Sequence, residues 1–362
     1  MVYSVAFIIT FVLAVILTFI VKKLAAKFNI VDRPTVARKI HQKATPLLGG
    51  IAVFLSFTIV FVYYSFFTDL IIKDFIAEKY VWGIIIASLI IILGGVLDDK
   101  YNLKPRLQII FPILAVLVII ASGIGIDHIR NPFGGVIRFD QWEFVLFYWQ
   151  GIPYKITVLS DLFTFIWLMG MMYTTKLLDG LDGLVSGVTV IGAVIIFAIA
   201  TSTIVAQYNT ALIAMILAGA FLGFLIFNWH PAKLFLGEGG SLYAGLMIGV
   251  LAIISGSKVA TTLLIIGIPI LDVIWVITRR ILAGKNPFKF SDKKHLHFRL
   301  LDVGFSHGQA VVFYLLLTAL FGGFAVFLQT FGKLIALIIL LLVMLILGVS
   351  LVFIYQKKNS KI

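Results

Sequence analysis

The stretch from Tyr80 to Asp99 reads YVWGIIIASLIIILGGVLDD. It carries no charged side chain from residue 80 to residue 97, and it then ends in two adjacent carboxylates. A helix needs roughly 20 mostly apolar residues to cross the hydrocarbon core of a bilayer. The stretch therefore predicts a transmembrane helix with an acidic pair, Asp98 and Asp99, where the helix leaves the membrane.

The composition of the whole chain agrees with this prediction. Of its 362 residues, 61% are hydrophobic and only 12% are charged, and the mean hydropathy is +1.12. A soluble protein of this length could not bury so much apolar surface, and a disordered chain would not carry it. The chain has no cysteine, which excludes disulfides, thiolate metal sites and a cysteine nucleophile.

Ten more apolar stretches give about eleven spans, which predicts an all-α, polytopic transmembrane bundle. The predicted spans are 4–21, 47–66, 80–97, 107–124, 157–173, 184–202, 208–227, 241–254, 259–277, 309–330 and 334–355. No soluble domain fits between them, so residues 1–362 form one predicted domain. The first span lacks a basic leader and a small-residue cleavage site, which favours a retained helix over a signal peptide.

Lysine and arginine predict the orientation. Of the 29 basic residues, 22 fall after odd-numbered spans. By the positive-inside rule, the N-terminus is outside and the C-terminus is cytoplasmic. The net charge of +13 suits loops that lie against anionic lipid, and no basic stretch favours a nucleic-acid partner. The cytoplasmic loops are then 22–46, 98–106, 174–183, 228–240 and 278–308.

These loops contain most of the residues that are capable of chemistry. Asp98 and Asp99 open the second loop, the third contains Asp179 and Asp182, and Glu238 closes the fourth. In a helix, Asp98 and Asp99 would point about 100° apart, and Asp179 and Asp182 would share a face. Magnesium prefers such oxygen ligands, together with substrate phosphates. The other interpretation, that carboxylates and glycines simply mark turns at the membrane surface, stays open at this point.

Backbone groups add a second feature. The segment Gly237-Glu238-Gly239-Gly240-Ser241 precedes a predicted span. It would present N–H groups at a helix N-terminus, where phosphate binds well. Asp272 lies near the end of the ninth span, where it is either functional or paired with Arg279 or Arg280. His230, beside Pro231, is interpreted as a turn residue.

At these residues the chain resembles the polyprenyl-phosphate N-acetylhexosamine-1-phosphate transferases. The resemblance runs from Asp32 to His307 and is strongest to the undecaprenyl-phosphate alpha-N-acetylglucosaminyl 1-phosphate transferase branch. The matching pieces are the first-loop residues Asp32, Pro34, Arg38, Lys39 and His41, the P-x-x-G-G at Pro46, the Asp98-Asp99 pair, the D-G-L-D-G-L at Asp179, the F-N-x-x-P-A-x-x-F-x-G-[DE]-x-G-S at Phe227, and the H-L-H-x-R-L at His295.

The resemblance implies a transfer of N-acetylglucosamine 1-phosphate from UDP-N-acetylglucosamine to undecaprenyl phosphate, with release of UMP. It also implies Mg²⁺ or Mn²⁺, a bacterial cytoplasmic membrane and an active site that faces the cytoplasm. Carried over by position, the catalytic residues are Asp98, Asp99 and Asp179, and these three with Glu238 are the metal ligands. The substrate-binding residues implied are Lys39, His41, Lys176, Asp182, Phe235, His295, His297 and Arg299. In this assignment Phe235 stacks on uracil, which suits an aromatic ring.

The chain departs from the family pattern in three places. Lys176 replaces an asparagine that usually lies three residues before the first aspartate of D-G-L-D-G. An ammonium cannot ligate a metal, but it can neutralise phosphate. Glu238 replaces an aspartate, so its carboxylate lies one methylene further out. Phe298 replaces a third histidine, which argues against the peptidoglycan branch of the family.

Three alternative functions stay open. The chain could be a phospho-N-acetylmuramoyl-pentapeptide transferase of peptidoglycan synthesis, a non-catalytic scaffold, or a secondary transporter. Transporters, however, place their polar sites near the bilayer midplane and often show repeated halves. Phosphoryl transfer depends mainly on positioning and charge neutralisation, which favours direct attack by the lipid phosphate over an aspartyl intermediate. The oligomeric state also stays open, with a homodimer as one alternative, because nothing in the sequence decides it.

Overall fold

The computed structural model describes residues 1–33, 44–73, 76–149, 152–203, 205–256, 259–284 and 295–359. Helices dominate these ranges. They are α1 (Val2–Lys27), α2 (Gly49–Phe66), α3 (Glu78–Tyr101), α4 (Pro105–Gln108), α5 (Ile110–Ala121), α6 (Val158–Leu178), α7 (Leu184–Ala200), α8 (Tyr208–Asn228), α9 (Gly237–Ile254), α10 (Val259–Ile265), α11 (Gly267–Leu282), α12 (Leu296–Val303), α13 (His307–Phe327) and α14 (Thr330–Asn359). The strands are β1 (Val31–Asp32), β2 (Thr45–Pro46), β3 (His128–Arg130), β4 (Val136–Arg138), β5 (Glu143–Trp149) and β6 (Ile152–Thr157).

The polytopic helical fold is confirmed. Among the described residues, eight helices are long and apolar enough to cross a membrane, and the bent pair α10–α11 would make a ninth. Two predicted spans, 107–124 and 184–202, correspond to shorter apolar helices, Pro105–Ala121 and Leu184–Ala200. The full count of eleven crossings and the orientation therefore stay predictions.

Helix α9 is the centre of the bundle. It packs against α2, α3, α6 and α7, and 89% of it is buried, compared with 11% of the apolar window of α14. Glycines allow the close crossings. A Cβ on Gly95 of α3 would lie 2.1 Å from Gly239 Cα, and one on Gly50 of α2 would lie 2.5 Å from Gly240 Cα. Because contact distances this short exclude any side chain, these glycines bring the ends of three helices together.

Helices α10 and α11 meet at a bend of 78°. Ile266 separates them, and α11 begins at Gly267. Asp272 lies on α11, after the bend. Its side chain is buried and contacts the first residue of the short helix α12. The ninth predicted span is thus a broken helix rather than a straight one.

The segment between the predicted spans 107–124 and 157–173 contains two antiparallel hairpins. Strand β3 pairs with β4, and β5 pairs with β6. The hairpins precede α6, whereas the acidic segment that begins at Asp179 follows it. The 21 residues of α6 place the two about 30 Å apart along the helix axis.

Candidate active site

The acidic pair closes α3, and its two members contact different partners. Asp98 Oδ1 accepts hydrogen bonds from the Leu103 amide at 2.8 Å and from Gln108 Nε2 at 2.9 Å. Asp99 Oδ1 accepts from the backbone N–H of Glu238 at 3.2 Å. The sequence prediction that the two carboxylates diverge is therefore confirmed. Asp98 braces the turn into α4, and Asp99 caps the first turn of α9, where a carboxylate is favoured by the helix dipole.

Gly237 allows this cap to form. Its φ of +77° lies in the left-handed region, and a Cβ there would lie 2.4 Å from Asp99 Oδ2. A larger residue would be strained and would also displace the carboxylate. The N–H of Glu238, which the sequence predicted as a phosphate donor, is thus taken by Asp99.

Two of the three departures from the family pattern touch each other. Lys176 Nζ forms an ion pair with Glu238 Oε1, and the two side chains are only 23% and 19% exposed. The same ammonium lies 3.4 Å from Gln108 Oε1. Because Gln108 also donates to Asp98, one chain of contacts joins α3, α6 and α9. The longer reach of glutamate allows Glu238 to meet Lys176.

The segment from Asp179 to Gly183 is a turn between α6 and α7, not a helix. Asp179 ends α6 with φ −73° and ψ 56°, and Gly183 has φ +80°. The prediction that Asp179 and Asp182 share a helical face is therefore wrong, because the helix ends between them. Asp179 is exposed to solvent at this turn. Partial desolvation by the surrounding protein, and then the charges of Glu238 and Asp182, raise the pKa of the Asp179 carboxyl to about 7.

His297 lies against this turn. A Cβ on Gly180 would lie 2.4 Å from His297 Nε2, so only glycine fits there. The imidazole is fully buried, and within the described residues neither of its nitrogens has a hydrogen-bond partner. Burial, and then the neighbouring His295 and His307, lower its pKa to about 3. The ring is therefore neutral at physiological pH, with one donor and one acceptor that no described residue engages.

Asp272 orients this histidine segment. His295 Nδ1 lies 2.9 Å from Asp272 Oδ2, and the Leu296 amide donates to Oδ1 at 2.7 Å. The carboxylate thus caps α12 from another helix. The sequence analysis gave Arg279 or Arg280 as one possible partner of Asp272. In the described structure, the hydrogen bonds of Asp272 go to His295 and Leu296 instead. The rings of His295 and His297 stack with centroids 5.6 Å apart.

Asp182 is held from two sides. Its backbone N–H donates to His307 Nε2 at 2.9 Å. Its Oδ2 lies 2.7 Å from His230 Nδ1 and accepts from the Ala232 amide at 3.1 Å. The sequence treated His230 as a turn residue and gave His307 no separate role. The available sequence signal for His307 was its place directly before a predicted span, which begins at residue 309.

Asn228 ties the same turn to the fourth loop. Its Oδ1 accepts from the Gly183 amide at 3.1 Å and from Ser186 Oγ at 3.0 Å. Its Nδ2 donates to the Leu234 carbonyl at 3.1 Å. Since Leu234 precedes Phe235, this one buried amide sets the position of Asp182 relative to Phe235.

The structure places the remaining predicted residues as follows. The Phe235 amide donates to the Pro46 carbonyl at 2.9 Å, which anchors the loop beside α2. The guanidinium of Arg299 lies over the ring of Tyr355, 5.5 Å from its centroid. Lys39 and His41 fall outside the described residues. The substrate contacts predicted for all four residues stay predictions.

The residue types of the group around Asp99 are those that a hard divalent cation prefers. Asp99 lies within electrostatic range of Asp98, Asp179 and Glu238. Within the described contacts, Lys176 is the ammonium that pairs with this group. Oxygen donors without sulfur suit Mg²⁺ or Mn²⁺. Desolvation, and then the charges of Glu238 and Asp182, raise the pKa of Asp179, and a bound divalent cation would offset those charges.

Comparison with known proteins identifies the family. The model of the Glycosyl transferase family 4 matches residues 81–256. A Bacillus subtilis (strain 168) protein named "probable undecaprenyl-phosphate N-acetylglucosaminyl 1-phosphate transferase" is 32% identical over 332 residues, which cover 90% of this chain and 85% of the relative. The chain belongs to the polyprenyl-phosphate N-acetylhexosamine-1-phosphate transferases.

Two further relatives agree with this assignment. The decaprenyl-phosphate N-acetylglucosaminephosphotransferase of Mycolicibacterium smegmatis is 30% identical over 81% of this chain and 73% of its own length. The undecaprenyl-phosphate alpha-N-acetylglucosaminyl 1-phosphate transferase of Salmonella typhi is 26% identical over 87% of this chain and 81% of its own. The family predicted from the motifs is confirmed, and the protein is a multi-pass membrane enzyme of this transferase class.

Proposed function

We propose that this transferase moves N-acetylglucosamine 1-phosphate from UDP-N-acetylglucosamine to undecaprenyl phosphate. An oxygen of the lipid phosphate attacks the β-phosphorus of the nucleotide sugar. The bond from that phosphorus to the bridging oxygen breaks, and UMP leaves with the oxygen. The product is undecaprenyl diphospho-N-acetylglucosamine, a lipid-linked sugar that would start a cell-envelope polysaccharide.

One observation carries the proposal. Carboxylates from three separate segments lie within electrostatic range of one another, and the ammonium of Lys176 pairs with one of them: Asp98 and Asp99 end α3, Asp179 ends α6, and Glu238 begins α9. A lipid phosphate and a diphosphate would repel such a group unless a divalent ion lay between them. The arrangement therefore suits a reaction between two phosphorylated substrates with a bound metal.

Asp99, Asp179 and Glu238 are the residues best placed to hold Mg²⁺ or Mn²⁺, with Asp98 beside them. When bound, the ion would neutralise the charge that develops on the transferring phosphate. Asp98 has one oxygen engaged with Leu103 and Gln108, and Asp99 has one engaged with the Glu238 amide, so each keeps its other oxygen for the ion. Because phosphates are already ionised at neutral pH, none of these carboxylates has to remove a proton from the nucleophile.

Neutral and cationic groups would complete the site. Lys176 keeps a fixed positive charge beside Glu238, where a diphosphate would approach. His297 is neutral, so it would contact phosphate or support the site without adding charge. Phe235 would stack on uracil and Asp182 would bind the nucleotide. His295, Arg299, Lys39 and His41 would contact phosphates or support the site.

The names of the relatives support the choice of substrates. Those from Bacillus subtilis and Salmonella typhi are named for undecaprenyl phosphate and N-acetylglucosaminyl 1-phosphate, whereas the mycobacterial relative is named for decaprenyl phosphate. The bias of basic residues supports an active site on the cytoplasmic face of a bacterial inner membrane. Membrane lipid is then a constant partner, and a homodimer stays a prediction.

The test is a substrate comparison with the purified, full-length protein. With Mg²⁺, undecaprenyl phosphate and radiolabelled UDP-N-acetylglucosamine, we expect UMP and a labelled lipid. A parallel reaction with UDP-N-acetylmuramoyl-pentapeptide should give no lipid product. Product from the peptide-bearing nucleotide alone would overturn the proposal in favour of the peptidoglycan reaction. Addition of a chelator should stop the reaction, and an excess of Mg²⁺ should restore it.

A further inference from the structure

The cluster of Asp182, His230 and His307 has no assigned role beyond the contact of Asp182 with the nucleotide. Its members come from three segments: the turn after α6, the loop after α8 and the first residue of α13. One potential ligand atom from each side chain lies within 4.8 Å of the other two. Such a cluster could hold a metal ion or could brace one of its own members.

The hydrogen bonding argues against a metal. His307 Nε2 accepts the amide N–H of Asp182, so its lone pair is already used. A neutral imidazole then carries its proton on Nδ1, which leaves no free lone pair on the ring. The rings of His230 and His307 also stack, with centroids 3.9 Å apart and planes 12° apart. In-plane lone pairs of nearly parallel rings do not converge on one point, as two ligands of one ion must.

The same contacts hold Asp182 in one orientation. His307 Nε2 accepts a hydrogen bond from the backbone N–H of Asp182. His230 Nδ1 and the Ala232 amide both contact Asp182 Oδ2. Within the part of the chain that the structure describes, Oδ1 carries no hydrogen bond. One carboxylate oxygen is thus fixed and the other is left for a donor outside the protein. The Asp182 side chain is 15% exposed, enough for a ligand to reach it.

We propose that His230 and His307 are positioning residues that hold Asp182 so that its Oδ1 accepts a hydrogen bond from the nucleotide of the donor substrate. The stacked rings support each other, and Asn228 fixes the neighbouring Gly183 amide from the other side. The donor on the ligand would be an imide N–H of the base or a ribose hydroxyl. This inference rests on the proposed function, because it takes the ligand to be a uridine nucleotide.

The test uses paired variants of each histidine in the full-length protein. His307→Leu removes the acceptor for the Asp182 amide, whereas His307→Gln keeps an acceptor close to the position of Nε2. His230→Leu removes the donor to Oδ2, and His230→Asn keeps one close to Nδ1. The leucine variants should raise KM for UDP-N-acetylglucosamine by about tenfold and change kcat by less than about threefold, as expected when binding is lost equally from the ground and transition states. The amide variants should recover most of the KM.

Two controls separate positioning from a general structural effect. KM for undecaprenyl phosphate and the Mg²⁺ requirement should stay unchanged in all four variants. His128 lies exposed at the hairpin end of the molecule, so His128→Leu should change none of these values. If KM for both substrates rose and kcat fell in the leucine variants, without recovery in the amide variants, the histidines would be structural and the proposal would be overturned.

A double-mutant cycle tests whether the histidines act through Asp182. In an Asp182→Ala background, His307→Leu should add little to the rise in KM, since the carboxylate that His307 positions is already absent. Fully additive effects would overturn the proposal. So would a stoichiometric Zn²⁺ that survives purification and is lost equally in Asp182→Ala, His230→Leu and His307→Leu, since the histidines would then be metal ligands.

Binding of UMP to the unaltered protein distinguishes this inference from the proposed function. Titration calorimetry should show UMP binding that weakens by about tenfold in His307→Leu and recovers in His307→Gln. If the unaltered protein bound no uridine nucleotide, the proposed function itself would fail. If it bound UMP and both histidine variants bound it equally well, the function would stand and the positioning role would be wrong.

Discussion

The two ends of α6 use charge in different ways. At the hairpin end, Arg138 pairs with Asp140 and Lys155 pairs with Glu143, within one hairpin in each case and on exposed surface. At the Asp179 end, the contacts join distant parts of the chain. The Glu238 amide reaches Asp99 across 139 residues, and the Asp182 amide reaches His307 across 125.

This difference shows that helix packing holds charged groups together at the Asp179 end of α6 and not at the hairpin end. Exposed pairs between near neighbours contribute little to stability and need no fixed scaffold. Partly buried carboxylates from separate helices are unfavourable together and stay together only because helix packing holds them. Glycine crossings at α3 and α9 impose that proximity, as expected of a functional site rather than of a surface turn.

The largest expected effect is at the Asp179 end of α6. Asp179→Asn keeps the shape of the side chain and removes a charge that a divalent ion would need. We expect turnover to fall by at least about a thousandfold, since charge neutralisation supplies most of the catalysis in phosphoryl transfer. Asp99→Asn and Glu238→Gln should act similarly, with unchanged helical circular dichroism. Full activity in any one of them would remove that residue from the site.

The matched control is at the other end. Asp140→Asn removes a carboxylate that pairs with Arg138 on the surface, where Arg138 is 65% exposed. UMP release and the melting temperature should both stay within experimental error of the unaltered protein. A large loss of activity there would break the comparison, because it would give the hairpins a part in the reaction.

A second prediction concerns the glycine crossing. Gly95→Ala would put a Cβ 2.1 Å from the Gly239 Cα atom, so α3 and α9 must separate. Turnover should fall by about a hundredfold, because Asp99 would move away from Glu238, and overpacking should cost about 1–3 kcal/mol of stability. Gly323→Ala is the control, since nothing lies within 4 Å of a Cβ at that position. Equal activity in the two variants would show that the crossing does not hold the site together.

A third prediction tests the pair formed by Lys176 and Glu238. Lys176→Met keeps the length of the side chain and leaves Glu238 without its ammonium. Turnover should fall by about ten- to thirtyfold, less than for loss of a metal ligand. Lys176→Asn combined with Glu238→Asp restores the pattern usual in the family and should be more active than Lys176→Asn alone. Additive effects of the two changes on log kcat/KM would show that the pair is not coupled.

The smallest expected effect is a dependence on pH. The pKa of Asp179 is raised to about 7, so the carboxyl is mostly protonated below that pH and must lose its proton to bind a metal. Mg²⁺ affinity should be full above pH 7 and should fall by about tenfold for each unit below it. Titration calorimetry in two buffers should detect the released proton near pH 6. The proton release and the pH slope should both disappear in Asp179→Asn, and their persistence would assign them to another group.

Much of the site could be predicted from residue types and their order. The acidic pair at the end of α3 follows from a long apolar run that stops at two aspartates. The family follows from motifs that keep their order along the chain. Neither the contact between Lys176 and Glu238 nor the link from Asp98 through Gln108 to Lys176 could be predicted, because each joins residues on different helices.

Two local predictions failed or were incomplete for the same reason. Asp179 and Asp182 were expected on one helical face, but α6 ends at Leu178 and the chain turns there. One of the two interpretations of Asp272 paired it with an arginine on its own helix, but its hydrogen bonds in the described structure go to His295 and Leu296. In each case local spacing describes a regular helix, whereas packing decided where the helix stopped and which neighbour came within reach.

The sequence by itself determined that this chain crosses a membrane many times, that its basic residues favour one side, and which family it belongs to. These properties depend on composition and order, which the transfer of apolar residues into lipid converts directly into helices. Only the tertiary structure decided which carboxylates meet, which histidines hold Asp182, and that Glu238 pairs with Lys176. Those contacts depend on distances between helices, and close packing at Gly95, Gly239 and Gly180 sets those distances.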